Sequence, residues 1–193
     1  MRGFGSVVLP VLVALLTSLA TNRVIRPTVT LSFEPNYPMR IPSEQRPLYG
    51  DQAFAIEIKS DVTLKAAIVR LVAISEKPDL SNPINGFVEP AFGWPLGGDS
   101  FQPRTIGGTD YILIASNRKD ALGGNHLMLF FNEFIGSPGP ENHPLPELEP
   151  LRDLSPGTYW MKIVLLSESV APTEGKFKLE FDRSTDVKLS AVK

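Results

Sequence analysis

Two histidines, four clustered acids and a run of loop aromatics are the residues whose chemistry would matter most if the fold brought them together. His126 and His143 are the only imidazoles. A copper or zinc site needs two or more imidazoles, or one with carboxylates, aimed at a single point. His126 follows Gly124-Asn125 and His143 stands between Asn142 and Pro144, a placement that fits no ligand spacing. Both are expected at the surface, and no metal or cofactor is expected. Glu141, Glu147, Glu149 and Asp153 lie in one Pro-rich stretch. Paired carboxylates cleave glycosidic bonds only when held a fixed distance apart across a cleft, and acids among prolines are expected instead as a solvated run. No G-x-S-x-G elbow occurs. Gly97-Gly98 and Gly107-Gly108 have no following helix to complete a phosphate cradle. With no cysteine in the chain, thiolate ligands and thiol nucleophiles are excluded. No catalytic residue is assigned.

The aromatics offer binding rather than catalysis. Phe87, Phe92, Trp94 and Phe101 fall within a stretch rich in Pro and Gly. Such side chains can stack on a sugar ring or anchor a protein partner. They can equally pack the loop down onto the body of the domain, and both uses stay open.

The elements that would position these residues are short strands. Residues 29–34 alternate Val29, Leu31 and Phe33 with polar partners, and residues 53–59 place Phe54, Ile56 and Ile58 on one face. Residues 64–74 start with helix-like spacing, but 68–74 are rich in β-branched residues and read as a strand. Residues 111–115, 127–134, 158–166 and 175–182 supply the rest. Eighteen prolines and fifteen glycines punctuate these runs, and no long helical period survives between them. Seven to eight strands of this kind predict an all-β, immunoglobulin-like β-sandwich over 29–183, interrupted by a long Pro/Gly-rich insertion at 75–110. Residues 184–193 are expected as a tail or an edge strand.

In the run 158–166, Tyr159, Met161, Ile163 and Leu165 share one face. That face is expected in the core, with Tyr159 as a tyrosine-corner residue. The opposite face carries Trp160, Lys162, Val164 and Leu166. It is too apolar to stand in open water, so Trp160, Val164 and Leu166 form a second candidate surface. The insertion, a partner or a second copy of the chain is expected to cover it.

Composition narrows the partners. The chain has 193 residues, 42% hydrophobic and 21% charged, with net charge −2. That describes one globular domain with no basic footprint for nucleic acid. At the start, Arg2 precedes an apolar run at 7–16, and Ser18-Leu19-Ala20 places small residues before a cleavage point. This layout predicts a signal peptide over 1–20, or an N-terminal anchor if it is not cut. The run is shorter than the roughly 20 apolar residues of a comfortable span. Residues 21–28 read as a linker. The domain is therefore expected outside the cell or in its envelope, touching a membrane only through residues 5–20 if these are retained.

Pro156-Gly157-Thr158-Tyr159-Trp160-Met161, followed by Ser169-Val170-Ala171-Pro172-Thr173 and an alternating strand at 177–181, resembles the end of a known domain type. It is the C-terminal, early-set immunoglobulin-like domain of galactose oxidase and glyoxal oxidase-like copper radical oxidases. Arg26-Pro27, the stretch Tyr49-Gly50-Asp51-Gln52-Ala53-Phe54 and Ala67-Ile68-Val69-Arg70-Leu71 resemble its opening and its "VRL" strand. The resemblance covers about half of the chain after the leader. It implies the fold alone. Where those enzymes place a copper-ligand histidine after "VRL", this chain has Val72-Ala73-Ile74-Ser75-Glu76-Lys77, and the propeller carrying the radical site is not in this sequence. The expected function is a secreted, non-catalytic module for protein interaction, self-association or structure. A carbohydrate-binding module using the loop aromatics and an accessory domain of a copper radical oxidase are the alternatives.

Overall fold

The computed structural model describes residues 27–33, 52–94, 102–119, 124–131, 150–151, 154–182 and 188–192. Nine strands run through them, and no α-helix occurs among the described residues. They are β1 (Val29–Phe33), β2 (Gln52–Ser60), β3 (Leu64–Ser75), β4 (Arg104–Ile106), β5 (Thr109–Lys119), β6 (Asn125–Leu129), β7 (Gly157–Leu166), β8 (Thr173–Phe181) and β9 (Lys188–Ala191). The leader expected at 1–20, Phe101, His143 and the acids from Glu141 to Asp153 lie outside the described residues.

Alternation places one side of each strand inward. Phe54, Ile56 and Ile58 of β2 meet Ile112 and Ala115 of β5, and Tyr159, Met161, Ile163 and Leu165 of β7 meet Phe177, Leu179 and Phe181 of β8; all are buried. The strands form two antiparallel sheets, ordered β1-β2-β5-β6 and β4-β3-β7-β8-β9, whose inward faces build one core. The residues read as a tail or edge strand include β9, which pairs with β8 and buries Leu189.

The uncertainty over residues 64–74 resolves entirely to strand. The helix-like spacing has a physical origin in two bulges. β3 gains one residue relative to β4 between Leu64 and Ala67, and another relative to β7 between Leu71 and Ala73. A bulge advances the inward set by three positions instead of two. The buried apolar set is therefore Leu64, Ala67, Val69, Leu71 and Ile74, with a helix-like step of three at each bulge and strand alternation between them. The first bulge holds Ala66 at φ 48. Its freed backbone groups are taken up by the β7–β8 turn: Ser169 Oγ accepts from Lys65 N at 3.0 Å, while Lys65 O accepts from Glu168 N at 3.0 Å and Ser167 Oγ at 2.8 Å.

At one seam the two sheets approach where β1 meets β8. A Cβ on Gly175 would lie 2.7 Å from Phe177 Cε2 and 3.3 Å from Leu31 Cβ. Only a residue without a side chain lets β1 come this close. Gly175→Ala is expected to destabilise the domain by about 1–3 kcal/mol, the range for overpacking a filled interior, measurable as a lower urea midpoint at unchanged slope.

Candidate interaction surface

The segment read as an insertion at 75–110 is built into the fold at both of its ends. Leaving β3, the chain turns through Leu80 and Asn82, both at positive φ (59 and 54). The base of the turn is closed by Ser75 Oγ donating to Ser81 O at 2.7 Å and by Lys77 N donating to Ser75 Oγ at 3.1 Å. Asn85 then returns to β3. Its side chain is fully buried. Oδ1 accepts from Ile74 N at 3.0 Å, and Nδ2 donates to Val72 O at 3.2 Å and to Val88 O at 2.6 Å. Val72 is the extra residue of the second bulge, so this amide stands in for the peptide group that the bulge has lost. Buried backbone groups require such partners.

Past Asn85 the segment changes sheets. Leu71 N donates to Pro90 O at 3.0 Å and Phe92 N to Val69 O at 2.9 Å, tying it to β3. One residue later, Gly93 N donates to Phe130 O at 3.3 Å and Gly93 O accepts from Leu113 N at 2.9 Å, tying it to β5 and the end of β6. Residues 90–93 are thus a strap across the second seam between the sheets.

The loop aromatics consequently divide. Phe92 is buried, its ring centroid 4.9 Å from that of Phe131. Trp94 is buried as well. Its indole N–H donates to Gln102 O at 3.0 Å, and the Arg104 guanidinium lies 5.7 Å from its ring centroid. As ligand-surface candidates these two are corrected: they are core residues that fasten the segment down. Phe87 is the opposite case, with a relative exposure of 104%. It sits in a turn closed by Gly86 N donating to Pro83 O and Val88 N donating to Asn85 O, both at 3.1 Å. An apolar ring held in solvent by an ordered backbone has no stabilising contact of its own.

The outer face of β7 is less open than its composition suggests. Val164 is 8% exposed and lies opposite Arg70, whose Nη1 donates to Glu89 O at 2.9 Å. Val164 is therefore corrected as a contact candidate. Trp160 is half-buried, opposite Ser75 on β3 and Lys178 on β8. Lys178 Nζ sits 6.0 Å from the Trp160 ring centroid while bonding Glu180 Oε1 at 2.8 Å. Lys162 pairs with Glu174 at 2.7 Å. Long charged side chains laid along apolar surface in this way leave their heads in water. Leu166 remains half-buried at the end of the strand.

On the other sheet, Glu57 is buried on the outward side between Ser32, Lys59 and Tyr111. Its carboxylate takes Lys59 Nζ at 2.7 Å, Ser32 Oγ at 3.2 Å and the Tyr111 hydroxyl at 3.4 Å. The Lys59 hydrogen bond above all holds its pKa below the ordinary 4.5, against the opposing effect of burial. A carboxylate depressed in the folded state contributes stability above its unfolded pKa and loses it as pH falls through the folded one. The stability difference between wild type and Glu57→Gln is therefore expected to be full at pH 7 and to shrink below about pH 4.5, as read from urea midpoints. This is a structural acid with a lowered pKa, whereas a general acid needs a raised one.

Among the described residues no group of three or more His, Asp or Glu side chains is placed to hold a metal ion, and no helix is long and apolar enough to cross a membrane. A recess of about 410 Å³ opens at the start of β7, lined by Pro156, Thr158, Glu180, Phe181, Asp182 and Lys188. Within it, Glu180 is held ionised by Lys178, its pKa below the ordinary value. The chain matches no family model, no curated protein and no solved structure.

Proposed function

We propose that this chain is a secreted or envelope-located, non-catalytic β-sandwich of the immunoglobulin-like type that acts as a protein-interaction module, with Phe87 at the centre of its contact. The fold assignment draws on strand adjacency. β1-β2-β5 follows the A-B-E side of such domains, and β4-β3-β7-β8 follows the side in which C, F and G are neighbours. It draws also on Tyr159 at the start of β7, buried and donating from its hydroxyl to Ser155 O at 2.6 Å. That is the geometry of a tyrosine corner, which joins the start of strand F to the chain upstream. Burial accordingly raises the Tyr159 pKa.

The observation that carries the function is the exposure of Phe87 on a loop whose neighbours are all fastened. Binding hot spots are aromatic anchors presented at little ordering cost. The carbohydrate reading relied on several aromatics forming a platform, and two of these, Phe92 and Trp94, lie in the core. To test the proposal, a photo-crosslinking phenylalanine analogue is placed at position 87 and, as a control, at exposed Lys176. Irradiation with envelope and secreted fractions of the source cells is expected to give a discrete protein adduct from position 87 alone. Equal labelling from both positions, or a glycan-binding signal abolished by Phe87→Ala with no protein adduct, would remove the proposal.

A further inference from the structure

We propose that Asn85-Gly86 is a latent self-modification site, shut by the folded loop and opened when the loop unlatches. It is the one Asn-Gly pair in the chain. Glycine places no side chain in the way of its own backbone nitrogen, so that nitrogen can reach the preceding side-chain carbonyl. In the reaction, Gly86 N attacks Asn85 Cγ and a new N–C bond forms. The Cγ–Nδ2 bond breaks, and the amide nitrogen leaves as ammonia with the proton from Gly86 N. Water then opens the cyclic imide at either carbonyl, leaving aspartate or isoaspartate at position 85. No electrons are gained or lost, and water is the sole co-reactant.

The structure occupies every group this chemistry needs. The nucleophile's N–H is donated to Pro83 O at 3.1 Å. The leaving nitrogen is held by Val72 O and Val88 O, and the carbonyl oxygen by Ile74 N. The side chain is sealed from water at 0% exposure, so the hydrolysing water is also excluded. Local opening of the 83–88 turn frees all of them at once, and loops open at far lower free energy than a core. The reaction is then irreversible in structure as well as in bonding. An aspartate carries acceptors where Nδ2 was a donor, so Val72 O and Val88 O would face a carboxylate oxygen. Isoaspartate adds a methylene to the backbone. Neither product can re-form the latch. That such a change ends the presentation of Phe87 rests on the interaction proposal above; the chemistry does not.

The test is peptide mass spectrometry that separates aspartate from isoaspartate at position 85. Samples are taken during incubation at mildly alkaline pH of the folded chain, the chain in denaturing urea, and folded Ser75→Ala, which lacks the bonds closing the base of the loop. Conversion is expected to be fast in urea, slower by roughly tenfold or more in the folded chain, as a gated opening requires, and intermediate in Ser75→Ala. Equal rates in folded and unfolded wild type would overturn the gate, and no conversion in urea would overturn the site. Should Ser75→Ala not fold, the two wild-type arms decide alone. Crosslinking from position 87, compared before and after conversion, reports separately on the interaction proposal.

Discussion

Phe92→Ala is expected to lower the unfolding free energy by about 3–5 kcal/mol, while Phe87→Ala, five positions earlier in the same loop, changes it by no more than about 0.5 kcal/mol. The contrast follows from what each ring touches. Phe92 is 1% exposed and packs on Phe131, and its backbone donates to β3 while its neighbour Gly93 bonds β5. Removing the ring leaves a cavity between two sheets that cannot close on it without moving the strap. Against a total stability of about 5–15 kcal/mol, that loss is severe. Phe87 touches nothing that holds the fold, so its truncation removes no buried area. Urea titrations of the two variants measure both quantities. A Phe87→Ala loss comparable to that of Phe92→Ala would show that the Phe87 ring packs in solution, and would take away the basis of the proposed contact.

Asn85→Ala is expected to cost about 3 kcal/mol, in line with the penalty of roughly 1–3 kcal/mol for each buried polar group left without a partner. Three backbone groups lose their partner at once: Ile74 N, Val72 O and Val88 O. Partial relaxation of the loop toward water keeps the cost below their sum. Amide exchange should speed at Ile74 and through the turn after it, while amides in the β7–β8 ladder keep their protection down to the global limit. Asn85→Asp should be at least as damaging, although it changes one atom, because a carboxylate cannot donate to either carbonyl. If Asn85→Ala unfolds with the wild-type midpoint, water replaces the amide without loss, and the turn is not latched by this side chain.

How much of this was legible beforehand depends on whether periodicity or individual hydrogen bonds hold an element. β7 and β8 could be read because Tyr159, Met161, Ile163 and Leu165 alternate without interruption, as do Phe177, Leu179 and Phe181, and all of them are buried. β3 is ambiguous at its start because a bulge sets Leu64 and Ala67 three positions apart, and bulges leave no signature in composition. The 75–110 segment was read as an insertion because residues 76–94 hold no periodic run, although it also contains β4 (Arg104–Ile106) and the first residues of β5. Residues 76–94 are held by one buried amide, by Ser75 and by single backbone bonds to two different sheets. The same gap left Phe92 and Trp94 undecided between surface and core, since loop aromatics look alike until the strap places them. The role of Asn85 is not legible in the sequence at all. The Asn-Gly pair could have flagged a turn, but nothing in the sequence announces that the amide is buried.

The strand order also carries a consequence for how fast the chain reaches this structure. β3 lies beside β7, and Lys65 is bonded to Ser169 across a separation of 104 residues. β2 must likewise await β5, with β3 and β4 intervening in the other sheet. β1–β2, β3–β4, β5–β6, β7–β8 and β8–β9 pair neighbours in the chain, so the two sheets are completed only by the long-range pairings β2–β5 and β3–β7. Entropy is therefore spent on closing two very long loops before either sheet is complete, which places refolding in the millisecond-to-second range typical of sandwiches rather than the microseconds of helical bundles. During that interval the β-branched runs of β3 and β5 are exposed together, so dilute conditions should favour a high refolding yield.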